Sequence, residues 1–154
     1  MNFLQMVIFS LDRGEYGIDI SCAQEIIRIP GQITKLPNVP SYVEGMFNLR
    51  GKVIYIIDLK KRFRLENLER GTDSRLLILK LDELMAGIIV DDVSDVLRIG
   101  EESIENLCSE INDIGNHGLK GICKIGERLI LVLDEKRLRS EVFQNIESEM
   151  EAVR

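Results

Sequence analysis

VIFSLDRGEYGIDISCAQEIIRI, Val7–Ile29, sets without a gap onto LILKLDELMAGIIVDDVSDVLRI, Leu77–Ile99, at an offset of 70. Leu11-Asp12 falls on Leu81-Asp82, Gly17 on Gly87, Ile18 on Ile88, and Arg28-Ile29 on Arg98-Ile99. Further along, GMFNLRGKVIYIIDLKKRF, Gly45–Phe63, sets onto GICKIGERLILVLDEKRLR, Gly121–Arg139, at an offset of 76. Gly45 meets Gly121, Asp58 meets Asp134, and Lys60 meets Lys136. Two ungapped matches in the same order mark an internal duplication, with a six-residue insertion in the second copy. The expected organisation is two similar halves, about 1–70 and 71–140, forming one domain. Exchange of strands between the halves is left open, and residues 141–154 form a C-terminal amphipathic helix or tail.

Each half reads as strands. Leu4–Leu11 and Tyr16–Ile20 flank Asp12-Arg13-Gly14-Glu15, a hairpin signal. Ile26–Ile29 is short and rich in β-branched residues. Val53–Ile57 and Leu129–Leu133 are five-residue apolar runs, each followed by aspartate. Such a run cannot alternate between core and water, so both faces are covered. One face lines its own half's core, and the other meets the second half. The expectation is a mainly β protein of two SH3-like five-stranded β-barrels packed together, with few short helices and a C-terminal helix. Asp58 and Asp134 are placed to cap helical turns. After Ser140, Val142, Ile146, Met150 and Val153 recur at helical spacing. Pro30, Pro37 and Pro40 stiffen one loop of the first half.

The 154 residues carry a net charge of −6, and 45% of them are hydrophobic. That composition is globular and argues against nucleic acid as the main partner. No window approaches a membrane span of about 20 apolar residues, and the start MNFLQMVIFSLDRGEYG lacks a signal-peptide pattern. Three widely spaced cysteines, Cys22, Cys108 and Cys123, do not make a disulfide framework and fit a reducing cytoplasm.

Chemistry is sparse. His117 lies near Cys108 and Cys123 in sequence, but a polar, glycine-rich loop is a poor setting for a thiolate–imidazole pair. No zinc, EF-hand, phosphate-loop or nucleophile-elbow pattern occurs, so no catalytic, cofactor or metal residues are expected. Asp91-Asp92-Val93-Ser94-Asp95 reads as a turn whose carboxylates cap backbone N–H groups. Lys60-Lys61-Arg62-Phe63-Arg64 reads as a solvated helix face, since aromatic platforms for nucleic acid are absent around it. Differences between the copies are more informative. Arg50 stands where the second copy has Gly126, and Gln24-Glu25 where it has Ser94-Asp95. An arginine fork at a turn tip grips carboxylates or carbonyls; it is equally an ordinary soluble turn residue. A small-molecule barrel would need convergent polar groups, and a redox protein an exposed low-pKa thiol. Neither pattern is visible, which favours a binding or scaffolding module.

Ala23-Gln24-Glu25-Ile26, LPNVPSYVEGMFNLRG (Leu36–Gly51) and VIYIIDLKKRF (Val53–Phe63) together resemble the CheW family of chemotaxis coupling proteins. GIIVDDVSDVLRI (Gly87–Ile99) and LKGICKIGERLILVLDEKRL (Leu119–Leu138) resemble the family's later motifs. The resemblance runs from about Phe3 to Leu138. It implies a double SH3-like barrel and a non-enzymatic adaptor. The implied partners are the cytoplasmic tips of methyl-accepting chemoreceptors and the regulatory domain of the histidine kinase CheA. The implied place is the cytoplasm, with recruitment to membrane receptor arrays and no direct insertion. Partner-coupling positions carried over are Ala23, Glu25, Gly45, Arg50, Gly87, Val93 and Val96, with Glu25 and Arg50 foremost. The same resemblance admits an isolated regulatory domain of a CheA-type kinase, or a scaffold of a non-flagellar pathway. One departure is Tyr55, where the family often has proline.

Overall fold

The two Leu-Asp turns shared by the repeats close two hairpins, and Asp12 and Asp82 take positive φ there, 57° and 59°. Aspartate tolerates that left-handed backbone better than most residues, which accounts for its presence in both copies. The first hairpin joins β1 (Phe3–Leu11) to β2 (Gly14–Asp19), and the second joins β6 (Arg75–Leu81) to β7 (Leu84–Val90). The computed structural model describes residues 2–106, 118–142 and 144. Its remaining elements are β3 (Ala23–Ile27), β4 (Val43–Leu49), β5 (Lys52–Asp58), helix α1 (Leu59–Arg62), β8 (Asp92–Gly100), β9 (Ile104–Asn106), β10 (Leu119–Ile125), β11 (Arg128–Leu133) and helix α2 over residues 135–142. His117, Cys108, and Ile146, Met150 and Val153 of the expected tail helix lie outside the described residues.

Neither sheet is built from one repeat. The first has the order β8-β1-β2-β11-β10-β9, and the second β3-β6-β7-β5-β4. Each therefore takes a hairpin from one repeat and its other strands from the other. The exchanged hairpin is joined by a parallel ladder in both cases: β2 to β11 through Glu15↔Ile130, and β7 to β5 through Ala86↔Tyr55. The first sheet has six strands rather than five, because β9 adds to β10. The second sheet has only the isolated bridge Thr34↔Met46 at the matching place. Neither sheet closes its edge strands into a fully hydrogen-bonded barrel.

Apart from their exposed first residues, Val53 and Leu129, the five-residue apolar runs are covered on both faces. Ile54 and Ile56 lie in one barrel core with Leu76, Ile78 and Ile89. Ile57, on the opposite face of the strand, joins the core between the sheets, with Tyr55 packed against that core. In the other copy Ile130 and Val132 face Met6, Ile8, Ile99 and Cys123, while Leu133 joins the inter-sheet core. That central core also holds Phe9, Leu77, Leu79 and Ile88, all without exposed surface. Truncating one such leucine to alanine would cost about 2–5 kcal/mol. Gly45 and Gly121 both stand at bulges, where the register shifts between Val43 and Gly45 and between Leu119 and Gly121. A Cβ at Gly45 would run into the Thr34 carbonyl, and one at Gly121 would lie 2.8 Å from the Glu105 carbonyl oxygen.

The Asp58 carboxylate accepts the Lys61 N–H at 3.2 Å, and Asp134 accepts the Lys136 and Arg137 N–H groups at 3.1 and 3.2 Å. α2 thus begins directly after Asp134 rather than after Ser140. It seats Leu138 and Val142 on the central core, and Glu141 takes a two-pronged bond from Arg62 at 3.0 and 2.6 Å.

The basic run after Asp58 is not a solvated face. Lys60 is 1% exposed; its Nζ donates to Asp91 Oδ1 at 2.8 Å and to the Glu69 carbonyl at 2.6 Å. Lys61 pairs with Glu44, and Arg62 also lies over the Tyr42 ring. A buried ammonium must be paired and hydrogen-bonded, and short-range sequence does not reveal that its partners lie 9 and 31 residues away. Asp91 does cap backbone, accepting the Asp12 N–H at 2.6 Å, but it is the lone link between β7 and β8, and Asp92–Asp95 run on as strand β8 rather than forming a turn.

Candidate partner-docking site

The β4–β5 hairpin closes on Leu49↔Lys52, leaving Arg50 and Gly51 as its two-residue tip. Both have positive φ, 51° and 85°, as in the type I′ turn that suits strand twist. Gly51 is a residue that turn prefers. Arg50 is not: a left-handed backbone costs a side-chain-bearing residue roughly 1–2 kcal/mol. The Asn48 side chain braces the tip by accepting the Gly51 N–H at 2.8 Å. In the second copy the tip is Gly126-Glu127, closed on Ile125↔Arg128, and Gly126 takes the positive φ of 59°.

Arg50 donates to the carboxylate of Glu25, on β3. β3 is one edge of the second sheet and the β4–β5 hairpin the other. The ion pair therefore spans the mouth of a sheet that curls on itself without closing its backbone ladder. The Arg50 side chain is 70% exposed and that of Glu25 33%, so the pair lies open to a partner. Beneath it is a cleft of about 350 Å³. Leu49, Ile54 and Met85 line its apolar part, and Glu25, Arg50 and Lys52 its charged part.

The other expected positions divide by role. Gly45 and Gly87 are buried, and a Cβ at Gly87 would press on the Leu76 side chain at 2.8–2.9 Å. Ala23 and Val93 are half-buried against the central core. Val96 is 54% exposed on β8. Tyr55, in central strand β5, pairs with Met46 and Ala86 and packs on the central core, so it supplies a ladder donor that proline would lack.

Two features escaped the sequence reading. The exposed apolar residues Ile26, Val53, Val96 and Leu129 are pairwise equivalent in the repeats, Ile26 with Val96 and Val53 with Leu129. The alignment alone shows that both copies keep these positions apolar, but not that both leave them exposed. The second is a matching ion pair at the other mouth. Arg128 donates to Glu15 at 3.0 and 2.8 Å and to Asp95, the counterpart of Glu25, at 3.3 Å. The Arg128 guanidinium holds the Glu15 carboxyl below its ordinary range, and Glu15 in turn raises Arg128.

Burial pushes the thiols of Cys22 and Cys123 up, and Glu135 adds to the effect at Cys22. That is opposite to what a reactive thiolate needs. Among the described residues no helix is long and apolar enough to cross a membrane.

Residues 5–142 match the CheW-like domain family model. The chain is 36% identical over 138 residues to the chemotaxis protein CheW of Klebsiella aerogenes, covering 89% of this chain and 82% of that one. It is 36% identical over 140 residues to the chemotaxis protein CheW of Treponema pallidum, covering 88% and 82%. Its structure resembles the crystal structure of the scaffolding protein TtCheW from Thermoanaerobacter tengcongensis, with a TM-score of 0.75 and 37% identity over 86% of this chain and 85% of that one.

Proposed function

Because this chain belongs to the CheW family, we propose that it is a non-catalytic chemotaxis scaffold that couples methyl-accepting chemoreceptors to a CheA-type histidine kinase. The observation that carries the reading to particular residues is the convergence of Glu25 and Arg50 over one open cleft. An exposed guanidinium already paired with a carboxylate exchanges that partner for another at little cost, because an exposed ion pair contributes only about 0.2–1 kcal/mol. A partner carboxylate or carbonyl takes the Arg50 fork while an apolar side chain enters over Met85. Ala23 flanks the cleft on β3, Val93 and Val96 lie on β8 of the other sheet, where Val96 offers a further exposed contact, and Gly45 and Gly87 act through the backbone they permit.

The repeat-related exposed residues suit a second kind of contact. A position that both copies keep apolar and both leave in water serves no core. Val53 and Leu129 would each meet a barrel of the kinase's regulatory domain, so that adaptor and kinase alternate in an array at the membrane. Each contact is weak, and avidity makes the assembly firm. Signal passes because receptor tips bind two array states with different affinity; equal affinity would transmit nothing.

Isothermal titration with the regulatory domain of a CheA-type kinase tests the reading. Saturable binding on the order of micromolar, about −8 kcal/mol, is expected. A parallel titration with a soluble receptor-tip hairpin should weaken in Arg50→Ala. Absence of binding to both would overturn the proposal.

A further inference from the structure

The helices that follow the repeat-related strands β5 and β11 both cross from one sheet to the other, yet they are fastened differently. α1 leaves the second sheet and reaches the first. Its Lys60 donates to Asp91, which accepts the N–H of Asp12 at the tip of the β1–β2 hairpin. α2 leaves the first sheet and reaches the second. Its Arg139 pairs with Asp82 and Glu83, the tip of the β6–β7 hairpin. Asp12 and Asp82 are one position of the repeat, so the two ties are counterparts. Their chemistry is opposite. Lys60 is buried, and it cannot release Asp91 without leaving an ammonium unpaired in the interior. Asp82 and Glu83 are 77% and 65% exposed, so water replaces Arg139 there at little cost. The Glu141–Arg62 bond also has both side chains partly in water. Of the described α2 side chains only Leu138 and Val142 are buried, and α2 adds no strand to either sheet. Lifting it breaks no strand ladder and strands no charge. Segments with few buried apolar groups and wet polar ties open well below the cost of global unfolding.

We propose that α2 is a clasp: it lifts from the inter-sheet core as a unit while α1 stays pinned, giving an open form in which both sheets and the Lys60–Asp91 tie persist. The inference is independent of which partner docks at the Glu25–Arg50 cleft. The open form is a second state of the chain, and a ligand with unequal affinity for the two forms shifts their populations.

Native-state hydrogen exchange on the full chain, followed amide by amide by NMR at fixed pH, tests it. The Leu138 N–H, bonded to the Asp134 carbonyl at 3.0 Å, reports on α2. The Asp91 N–H, bonded to the Ser10 carbonyl at 2.9 Å, reports on the pin. Leu138 should exchange through an opening at least about tenfold more populated than that of Asp91, a difference of 1.4 kcal/mol. Glu141→Gln and Asp82→Asn/Glu83→Gln should each speed Leu138 exchange about two- to fivefold, the range for losing an exposed pair, with Asp91 unchanged. Added sodium chloride should act in the same direction. Cys22 is a second reporter, since it packs on the inter-sheet core and the Glu135 carboxylate of α2 is near enough to raise its thiol. In a Cys108→Ser background, its labelling by a neutral maleimide, read peptide by peptide, should accelerate with Leu138 exchange in both variants. Leu138 and Asp91 exchanging alike, through global unfolding alone, would overturn the proposal. So would variants that speed both amides equally. Faster Leu138 exchange with constant Cys22 labelling would also overturn it, since that is fraying without lifting.

Discussion

Replacing Arg50 by glycine, the residue of the second copy, should separate stability from coupling. Three contributions act on the fold. Glycine removes the penalty of a side-chain-bearing residue at φ 51°, a gain of roughly 1–2 kcal/mol. It loosens the unfolded chain, a loss of about 0.4–1 kcal/mol. It deletes the Glu25 ion pair, a loss of about 0.2–1 kcal/mol given the 70% exposure of Arg50. The sum lies within about 1 kcal/mol of zero, or some 2–4 °C in melting temperature for a chain of this size. Arg50→Ala keeps the backbone penalty and loses the ion pair, so it should melt slightly below the glycine variant. Coupling goes the other way. Without the fork, affinity for the receptor tip should fall about tenfold or more, equivalent to 1.4 kcal/mol. Thermal melts beside titrations on the same preparations make the comparison. A glycine variant melting more than about 6 °C below wild type would make Arg50 a fold residue. Unchanged affinity for both receptor tip and kinase domain would refute the docking role.

Gly45→Ala should behave oppositely, since the new Cβ meets the Thr34 carbonyl at φ 143°; a loss of about 2 kcal/mol or more is expected by denaturant titration. Gly51→Ala is the matched control. It has positive φ but open space around it, so its cost should stay near 1–2 kcal/mol. Val53→Ser and Leu129→Ser should leave stability within about 0.5 kcal/mol while weakening association with barrel partners, which melts and binding isotherms separate. Acid should unfold the protein partly through Glu15. Its carboxyl is depressed in the folded state by Arg128, so its contribution is present above the ordinary glutamate value of about 4.3 and lost as pH falls through the lower folded value. Melts from pH 7 to 3 should show wild type and Glu15→Gln converging at the acid end; parallel curves would deny the contribution.

The duplication made much of this architecture legible. Val53–Ile57 and Leu129–Leu133 are expected to be covered on both faces; Ile54, Ile57, Ile130 and Leu133 divide between barrel and central cores accordingly, while Val53 and Leu129 stay exposed. Identities at Asp12 and Asp82, and at Gly45 and Gly121, mark turns and bulges that need those residues. What escaped depends on distance in space. Equal repeats fit either their own hairpin or the other's, so the sequence does not say which sheet β1–β2 enters. Lys60 looks like its exposed counterpart Lys136 until Asp91 and the Glu69 carbonyl are placed around it. Glu25 and Arg50 were each singled out, but their contact depends on the curl that brings two edges of one sheet together. Arg128 passed as a flank of an apolar strand, because its meaning lies in Glu15, 113 residues away.

The exchanged hairpins bear directly on how a scaffold can carry a signal. Each barrel contains two strands of the other repeat, so neither core is complete until both repeats have packed, and the central core is continuous with both hairpins. A partner at one mouth therefore does not meet an independent module that could rotate on a linker. The chain adds a pin on one side only. The buried Lys60 ties α1 and the inter-repeat segment to Asp91, and Asp91 ties the turn of β1–β2 to the crossover from β7 to β8. At the repeat-related place Ser21 stands for Asp91 and Lys136 for Lys60, and Lys136 is exposed. A buried ion pair is weak evidence for stability, and its well-attested use is to fix register. Here it ties the segment after β5 to the β1–β2 turn and the crossover between the sheets. A scaffold whose halves turned freely would dissipate a partner's preference for one state in bending; a rigid one passes that preference on.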